Sequence, residues 1–312
     1  MSVVGRLAPS PTGLLHLGHA RTFLLAWWSA RAQNGRILLR IEDLDGERAK
    51  PEFIAAAERD LEWLGLDWDG QVIVQSAGLE QITAAVQSLL EQGLAYPCTC
   101  TRQDLRESQN APQLGVSEPR YPGTCRGRYS SLAEAERASG RRAGIRLRVA
   151  EGPTQFEDRI AGAQSFDVQA EVGDFLIARR SGVPAYQLAV VVDDARESVS
   201  EIVRGDDLLP STARQMLLQR ALGLPHPRWA HVPLVLDEQG RRLAKRSADL
   251  GLSELRERGV DPRRIVAWAA RSAGLGVAER MTASELLPEF SLERVARTPV
   301  RLGSADLGML TR

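Results

Sequence analysis

His16 and His19 stand three residues apart, as His-Leu-Gly-His, directly after a turn punctuated by Pro9, Pro11 and Gly13. Three residues is about one helical turn, so both imidazoles can face one ligand. Three readings fit the pattern: a metal site, two incidental surface histidines, or a phosphate site. A metal needs a third and fourth ligand, and no nearby residue supplies them plainly. A strand that enters a Gly-containing turn and then a helix aims unpaired N–H groups and the helix dipole at one point. That geometry suits anions, phosphates above all. Gly18 leaves space for a flat group to approach the backbone. A second basic set lies far downstream in Arg242-Leu243-Ala244-Lys245-Arg246, which alone reads as a solvated loop. A third set is Cys98, Cys100 and Cys125. Three thiolates can hold zinc, and a closed tetrahedral site needs a fourth ligand.

Periodicity indicates the elements that must position these groups. Residues 3–7 form a short apolar strand, stopped by Pro9 and Pro11, and residues 14–32 are too long an apolar segment for anything but a helix. "RILLRI" at 36–41 is strand-like and ends in "EDLDGER"; 52–64 and 78–93 carry helical periodicity. The resulting β-α-β-α-α order opens a parallel sheet flanked by helices. From Tyr96 the pattern breaks, and residues 96–130 hold all three cysteines with several Pro and Gly. This stretch reads as an insertion, with 145–149, 155–160 and 175–179 as its strands. Sheet and helix return over 186–195, 200–204, 211–222 and 231–236, and helical pieces follow at 261–273 and 282–287. The expected division is 1–95 and 186–240 for two halves of a catalytic domain, 96–185 for the insertion, and 241–312 for a basic loop and helical region.

Forty basic and forty acidic residues cancel, and 26% of the chain is charged. A neutral total argues against non-specific coating of nucleic acid but allows a local basic face. No run approaches the roughly 18 apolar residues of a membrane span. The first residues enter a strand and do not read as a signal peptide. An odd, clustered trio of cysteines then favours metal or free thiols over a disulfide frame. A cytoplasmic enzyme is the expectation.

"RLAPSPTGLLHLGHAR" resembles the first signature of class I aminoacyl-tRNA synthetases, in the form used by the glutamyl and glutaminyl branch. "HVPLVLDEQGRRLAKRSAD" has the shape of the second: a strand at 231–236, a turn at 237–240, then the Lys-Met-Ser-Lys-Ser-like loop. The two stand in the right order more than 220 residues apart. The loop departs from the usual form, with Arg242 in place of the first lysine and Ala244 in place of the serine, while Lys245 remains. The resemblance implies a Rossmann-like α/β catalytic domain with a zinc-containing insertion and a small C-terminal helical stem-contact domain. It implies that His16, Gly18, His19 and Lys245 bind ATP, with His16, His19 and Lys245 stabilising the charge that develops on leaving pyrophosphate. Magnesium would accompany ATP.

The same resemblance implies a glutamate pocket. Arg6, Leu7, Ala8, Pro9 and Ser10 lie in the first signature, Glu42 in "RIEDLD", Tyr186 in "AYQLAVVVDD" and Arg204 in "VRGDDLL". Glu42 takes the α-amino group, Arg6 and Arg204 take carboxylate groups, and Ser10 and Tyr186 complete the hydrogen bonding. Two arginines disfavour glutamine, whose neutral amide leaves a buried cation unpaired. For the cysteines it implies Cys98, Cys100, Tyr121 and Cys125 as ligands of one structural zinc ion.

The chain ends about 65 residues after Arg246, where full-length members continue into anticodon-reading helical domains. It thereby resembles the short members of the branch, which transfer glutamate to the queuosine base in the anticodon loop of tRNA(Asp). The expected partners are ATP, L-glutamate and queuosine-bearing tRNA(Asp), with no membrane, acting as a monomer. The alternatives are a short glutamyl-tRNA synthetase charging the 3′ end of tRNA(Glu), and a non-catalytic RNA-binding or regulatory protein of synthetase origin.

Overall fold

The computed structural model describes residues 2–107, 120–243, 251–276 and 278–311. The chain begins β1 (Val4–Leu7), α1 (Leu17–Ala32), β2 (Arg36–Ile41), α2 (Pro51–Trp63), β3 (Ile73–Val74), α3 (Leu79–Glu91) and β4 (Ala95–Cys98). It continues α4 (Arg102–Glu107), α5 (Leu132–Ser139), β5 (Gly144–Leu147), β6 (Thr154–Asp158), β7 (Gly162–Phe166), α6 (Val168–Glu171) and β8 (Leu176–Ala178). Next come α7 (Tyr186–Arg196), β9 (Glu201–Gly205), α8 (Leu209–Leu222), β10 (Arg228–Val232) and β11 (Val235–Leu236). The last elements are α9 (Leu252–Glu257), α10 (Pro262–Ser272), β12 (Val300–Arg301) and α11 (Ser304–Thr311).

The expected parallel α/β sheet is present. β2 pairs in parallel with β1 and β3, and β10 pairs in parallel with β9 and β6. The Ser200 N–H donates to the Val4 carbonyl at 2.9 Å and ties the two halves together between β9 and β1. Parallel strands buried on both faces read as near-continuous apolar runs. β1, β2 and β9 fit that rule apart from the exposed Arg36 and the buried Arg6, Arg40, Glu201 and Arg204. His231 on β10 lies in register beside Arg204, and Asp158 ends β6. Polar side chains therefore gather at the carboxyl ends of neighbouring strands, where open α/β sheets form their sites.

Several local expectations shift. The first helix begins at Leu17 rather than residue 14, because His16 is extended and Leu15 gives its carbonyl to the N–H of Leu252. The strand expected at 231–236 is two strands, β10 and β11. Pro233 between them cannot donate to a ladder, and its carbonyl accepts from Arg21 Nη1 at 2.8 Å. The strand expected at 155–160 as part of the insertion is β6, Thr154–Asp158, and it pairs with β10 in the main sheet, while β5 pairs with β4 and β8. The C-terminal stretch, read as helical pieces, also returns β12 to pair in parallel with β11. One hydrophobic core joins Leu17, Leu24 and Trp28 of α1 to Leu252, Ile265 and Trp268 near the other end of the chain. A second joins the insertion strands to α3, α7 and α8.

Candidate active site

His16 is the N-cap of α1. Its Nδ1 accepts the Gly18 N–H at 3.1 Å, and His19 Nδ1 accepts the His16 N–H at 3.2 Å. This reciprocal capping box satisfies two donors that a helix start otherwise leaves unpaired. The rings stack with centroids 3.7 Å apart. With Nδ1 accepting, each neutral imidazole carries its proton on Nε2, as an N–H donor suited to an anionic oxygen. The metal reading loses its footing: among the described residues, the one cluster of His, Cys, Asp or Glu able to hold a metal is Cys98, Cys100 and Cys125.

The expected space above Gly18 is filled by the ring of His16 itself. A methyl group on Gly18 would sit 3.0 and 3.1 Å from that ring's Cε1 and Nδ1. Gly18→Ala is therefore expected to tilt the His16 ring and slow adenylate formation about tenfold. The melting temperature should hardly change, since alanine favours the helix. ATP–pyrophosphate exchange and thermal denaturation together check this.

The described ends of the second-signature loop reach the same corner. The Leu243 N–H bonds to Val235 O at 3.3 Å, and Gly251 bridges to His16. Arg242 is paired with Asp207 Oδ2 at 2.7 Å, in the "RGDDLL" stretch after β9. Ala244, Lys245 and Arg246 lie outside the described residues.

Arg6, Glu42, Tyr186 and Arg204 come together at the strand ends. Arg6 Nε lies 3.4 Å from Asp194 Oδ1, an ion pair outside hydrogen-bond geometry. Glu42 continues β2, and its N–H bonds to Pro9 O at 3.0 Å, which holds it against the first signature. Leu7 is in the core, and Ala8 and Pro9 carry the chain to Ser10 at the surface. Ser10, Glu42 and Tyr186 line one cleft of about 270 Å³ with Asp45, Gln75 and Arg179. Burial raises the Glu42 carboxyl above its usual range against the pull of Arg40 and Arg6. Burial also raises the Tyr186 phenol, with Glu42 adding to it.

Arg204 differs from the other two strand arginines. Arg40, fully buried, meets three carboxylates: Glu197 at 2.7 Å, Asp194 at 2.8 Å and Glu42 at 3.3 Å. Among the described residues Arg204 pairs with no acid. Its Nε donates to His231 Nε2 at 3.0 Å and its Nη2 to Thr212 Oγ1 at 2.9 Å and Leu208 O at 3.3 Å. Burial accordingly lowers its pKa, with the phenol of Tyr186 opposing and Arg6 reinforcing that shift. Arg204 Nη1 has no partner among the described residues. Arg204 does not line that cleft itself, but its charge is felt by Tyr186 and Glu42, which do.

Arg40, Asp194, His231 and Asp158 were not singled out in the sequence. The available signal was charge inside otherwise apolar elements: Arg40 in "RILLRI" and Asp193-Asp194 after "AVVV". Arg40→Leu would take from Asp194, Glu197 and Glu42 the one cation that meets all three, leaving Arg6 beside Asp194 and Arg196 beside Glu197. Breaking a buried ion pair from one side costs about 3–5 kcal/mol, so a lowered urea midpoint is expected, and an unchanged midpoint would remove Arg40 as the neutralising centre.

In the insertion the three cysteine sulfurs lie within 4.8 Å of one another, and Cys100 Sγ is 3.6 Å from Cys125 Sγ. Sulfurs sharing a tetrahedral zinc with bonds of ~2.3 Å stand about 3.8 Å apart, so the trio fits a zinc site. Tyr121 Oη is 3.4 Å from Cys98 Sγ and accepts the Cys125 N–H at 2.8 Å. Arg146 donates to Cys98 Sγ at 3.2 Å and lies over the Tyr121 ring. Hydrogen bonds from the Cys100 and Cys98 thiols push the Cys125 thiol far down, so one thiolate forms readily here.

Residues 2–301 match the family described as tRNA synthetases class I (E and Q), catalytic domain. A glutamyl-Q tRNA(Asp) synthetase of Rhodopirellula baltica is 44% identical, over 96% of each chain. A glutamate–tRNA ligase of a Synechococcus species (strain CC9311) is 41% identical over 99% of this chain and 67% of its own. The crystal structure of glutamate-tRNA synthetase from Elizabethkingia anophelis superposes with a TM-score of 0.84 at 25% identity, covering 98% of this chain and 69% of that one. The strand-end cations, the capped histidine pair and these likenesses agree, and the chain belongs to the class I tRNA synthetases of the E and Q branch, a family of ligases.

Proposed function

We infer that the protein activates L-glutamate with ATP and transfers it to the queuosine base at the anticodon wobble position of tRNA(Asp). The observation that carries the first step is Arg204, buried with no carboxylate partner among the described residues and coupled by charge to Arg6 and Glu42. A bound side-chain carboxylate supplies the missing anion, and the α-ammonium of the ligand answers Glu42. The side-chain amide of glutamine brings no charge to these arginines. Ser10 and Tyr186 complete the hydrogen bonding.

In the first step an α-carboxylate oxygen attacks the α-phosphorus of ATP and pyrophosphate leaves. The Nε2–H groups of His16 and His19, the start of α1 and Lys245 stabilise the negative charge that grows in that step. Magnesium accompanies ATP. In the second step a hydroxyl of the acceptor's cyclopentenediol attacks the acyl carbon, forming an ester and releasing AMP. Support for that acceptor comes from relatives named glutamyl-Q tRNA(Asp) synthetase, matched at 44–45% identity over 86–98% of their own lengths. Cys98, Cys100, Cys125 and Tyr121 would hold one zinc ion, with a structural role in the insertion.

Charging assays with labelled glutamate test this. Label is expected on tRNA(Asp) that carries queuosine and on neither tRNA(Asp) without it nor tRNA(Glu). Label on tRNA(Glu) alone makes the protein a short glutamyl-tRNA synthetase.

A further inference from the structure

Arg204 is held by a second polar system that none of the substrate assignments uses. His231 Nδ1 is 2.6 Å from Asp158 Oδ2, and both side chains are fully buried. Asp158 Oδ1 is committed elsewhere: it accepts the N–H groups of Ala161 at 2.8 Å, Ile160 at 3.0 Å and His231 at 3.1 Å. The carboxylate therefore cannot rotate away, and Oδ2 remains to accept from the ring. That fixes the proton on Nδ1 and leaves Nε2 as a pure acceptor. Nε2 is where Arg204 Nε donates, and Thr212 Oγ1 lies 3.2 Å from the same nitrogen. Thr212 Oγ1 accepts Arg204 Nη2, and its hydroxyl shares the single Nε2 lone pair with Arg204 Nε. The Trp229 ring, 5.1 Å from the guanidinium carbon, covers one face.

We propose that Asp158 and His231 are positioning residues for amino-acid selection: they lock the imidazole as an acceptor, which orients Arg204 so that Nη1 is left for the ligand carboxylate. The inference rests on the glutamate reading above. Its content is that a tautomer, two shells behind the ligand, sets the discrimination against glutamine. The neutral ring matters for the same reason. A protonated or Nε2–H imidazole would turn an N–H toward Arg204 Nε–H and displace the guanidinium. Burial works in the same direction, holding His231 below the usual histidine range.

Asp158→Asn isolates the tautomer from the packing. The amide oxygen must stay on the three N–H groups at the Oδ1 position. The amide NH₂ then faces His231 Nδ1 and drives the ring proton to Nε2. The chain has four histidines, so ¹⁵N-edited imidazole spectra can assign His231: Nδ1–H in the parent protein and Nε2–H in the variant. In ATP–pyrophosphate exchange the KM for glutamate should rise about tenfold to a hundredfold. The KM for ATP should stay within about twofold, and the preference for glutamate over glutamine should shrink by a similar factor to the glutamate effect. Thr212→Val, which removes the other side-chain anchor of Arg204 and leaves the bond to Leu208 O, should show a smaller rise with the Nδ1–H tautomer kept. A converted tautomer with unchanged KM for glutamate overturns the proposal, as does an Nε2–H ring in the parent protein. Absence of glutamate-dependent exchange in the parent protein, with tRNA supplied, is the separate failure of the glutamate reading and is seen before any variant is made.

Discussion

Arg204→Leu is expected to lower kcat/KM for glutamate in ATP–pyrophosphate exchange by about 10²–10³-fold while leaving thermal stability nearly unchanged. The first half follows from truncating one side of a buried, charge-assisted contact, which costs about 3–5 kcal/mol when the partner stays behind. Here the partner is the ligand carboxylate, so the loss appears on binding. The second half follows from what Arg204 lacks. Its hydrogen-bond partners are a neutral imidazole, a hydroxyl and a carbonyl, the Trp229 ring covers one face, and burial lowers its pKa. An uncompensated buried cation is a strained element of the free protein. Replacing it with an apolar side chain relieves that desolvation and offsets the orphaned Thr212 and His231 acceptors. Arg204→Lys should rescue little activity, because an ammonium cannot reach His231, Thr212 and the ligand at once as a planar fork does. A melting temperature that falls in parallel with activity would make Arg204 a structural residue and remove the site's selectivity argument.

The legible parts of this protein are those where one residue type answers one local demand. The parallel sheet followed from apolar runs too short for helices and from their alternation with helical periods. Residues 36–41 coincide with β2. The histidine pair was legible because its spacing and the preceding turn place both rings at a helix mouth. What spacing could not reveal was that each ring is bound to backbone through Nδ1, because capping depends on φ and ψ at His16. The helix start moved for a similar reason, a contact between Leu15 and Leu252 more than 230 residues away. The segment at 155–160 looked like an insertion strand because it lies inside the stretch, 96–185, where the opening pattern is broken. Its pairing with β10 is a long-range choice that local propensity does not encode. The relay from Asp158 to Arg204 was invisible for the same reason: its members come from three strands and are 27 to 73 residues apart.

Removal of the metal should separate the two steps of the reaction. The parent protein is expected to carry one zinc per chain, and Cys125→Ser to carry none. Cys98, Tyr121 and Cys125 are nearly fully buried, yet the cluster around them is small, with Tyr96, Leu105 and Tyr129 as its other apolar members. Such a cluster offers little apolar area, and three buried polar ligands without their ion weaken it further. The strands β5 and β8 belong instead to the larger core shared with α3, α7 and α8. Metal loss is therefore expected to open the region around residues 120–130 locally, seen as faster amide exchange and proteolysis there, without melting the main sheet. Glutamate activation, at strand ends fed by β1, β2 and β9, should stay within about twofold of the parent. Transfer to RNA should fall at least about tenfold if the insertion contacts the acceptor. A strong chelator acting on the parent protein should reproduce both effects, and added zinc should reverse them in the parent but not in Cys125→Ser. Tyr121→Phe distinguishes a ligand from a packing group, because the ring remains over Arg146 while the hydroxyl is lost. Weaker zinc retention in a chelator competition is the result expected of a fourth ligand, with the lost acceptor for the Cys125 N–H contributing to it. Retention equal to the parent would leave three thiolates as the protein's whole contribution.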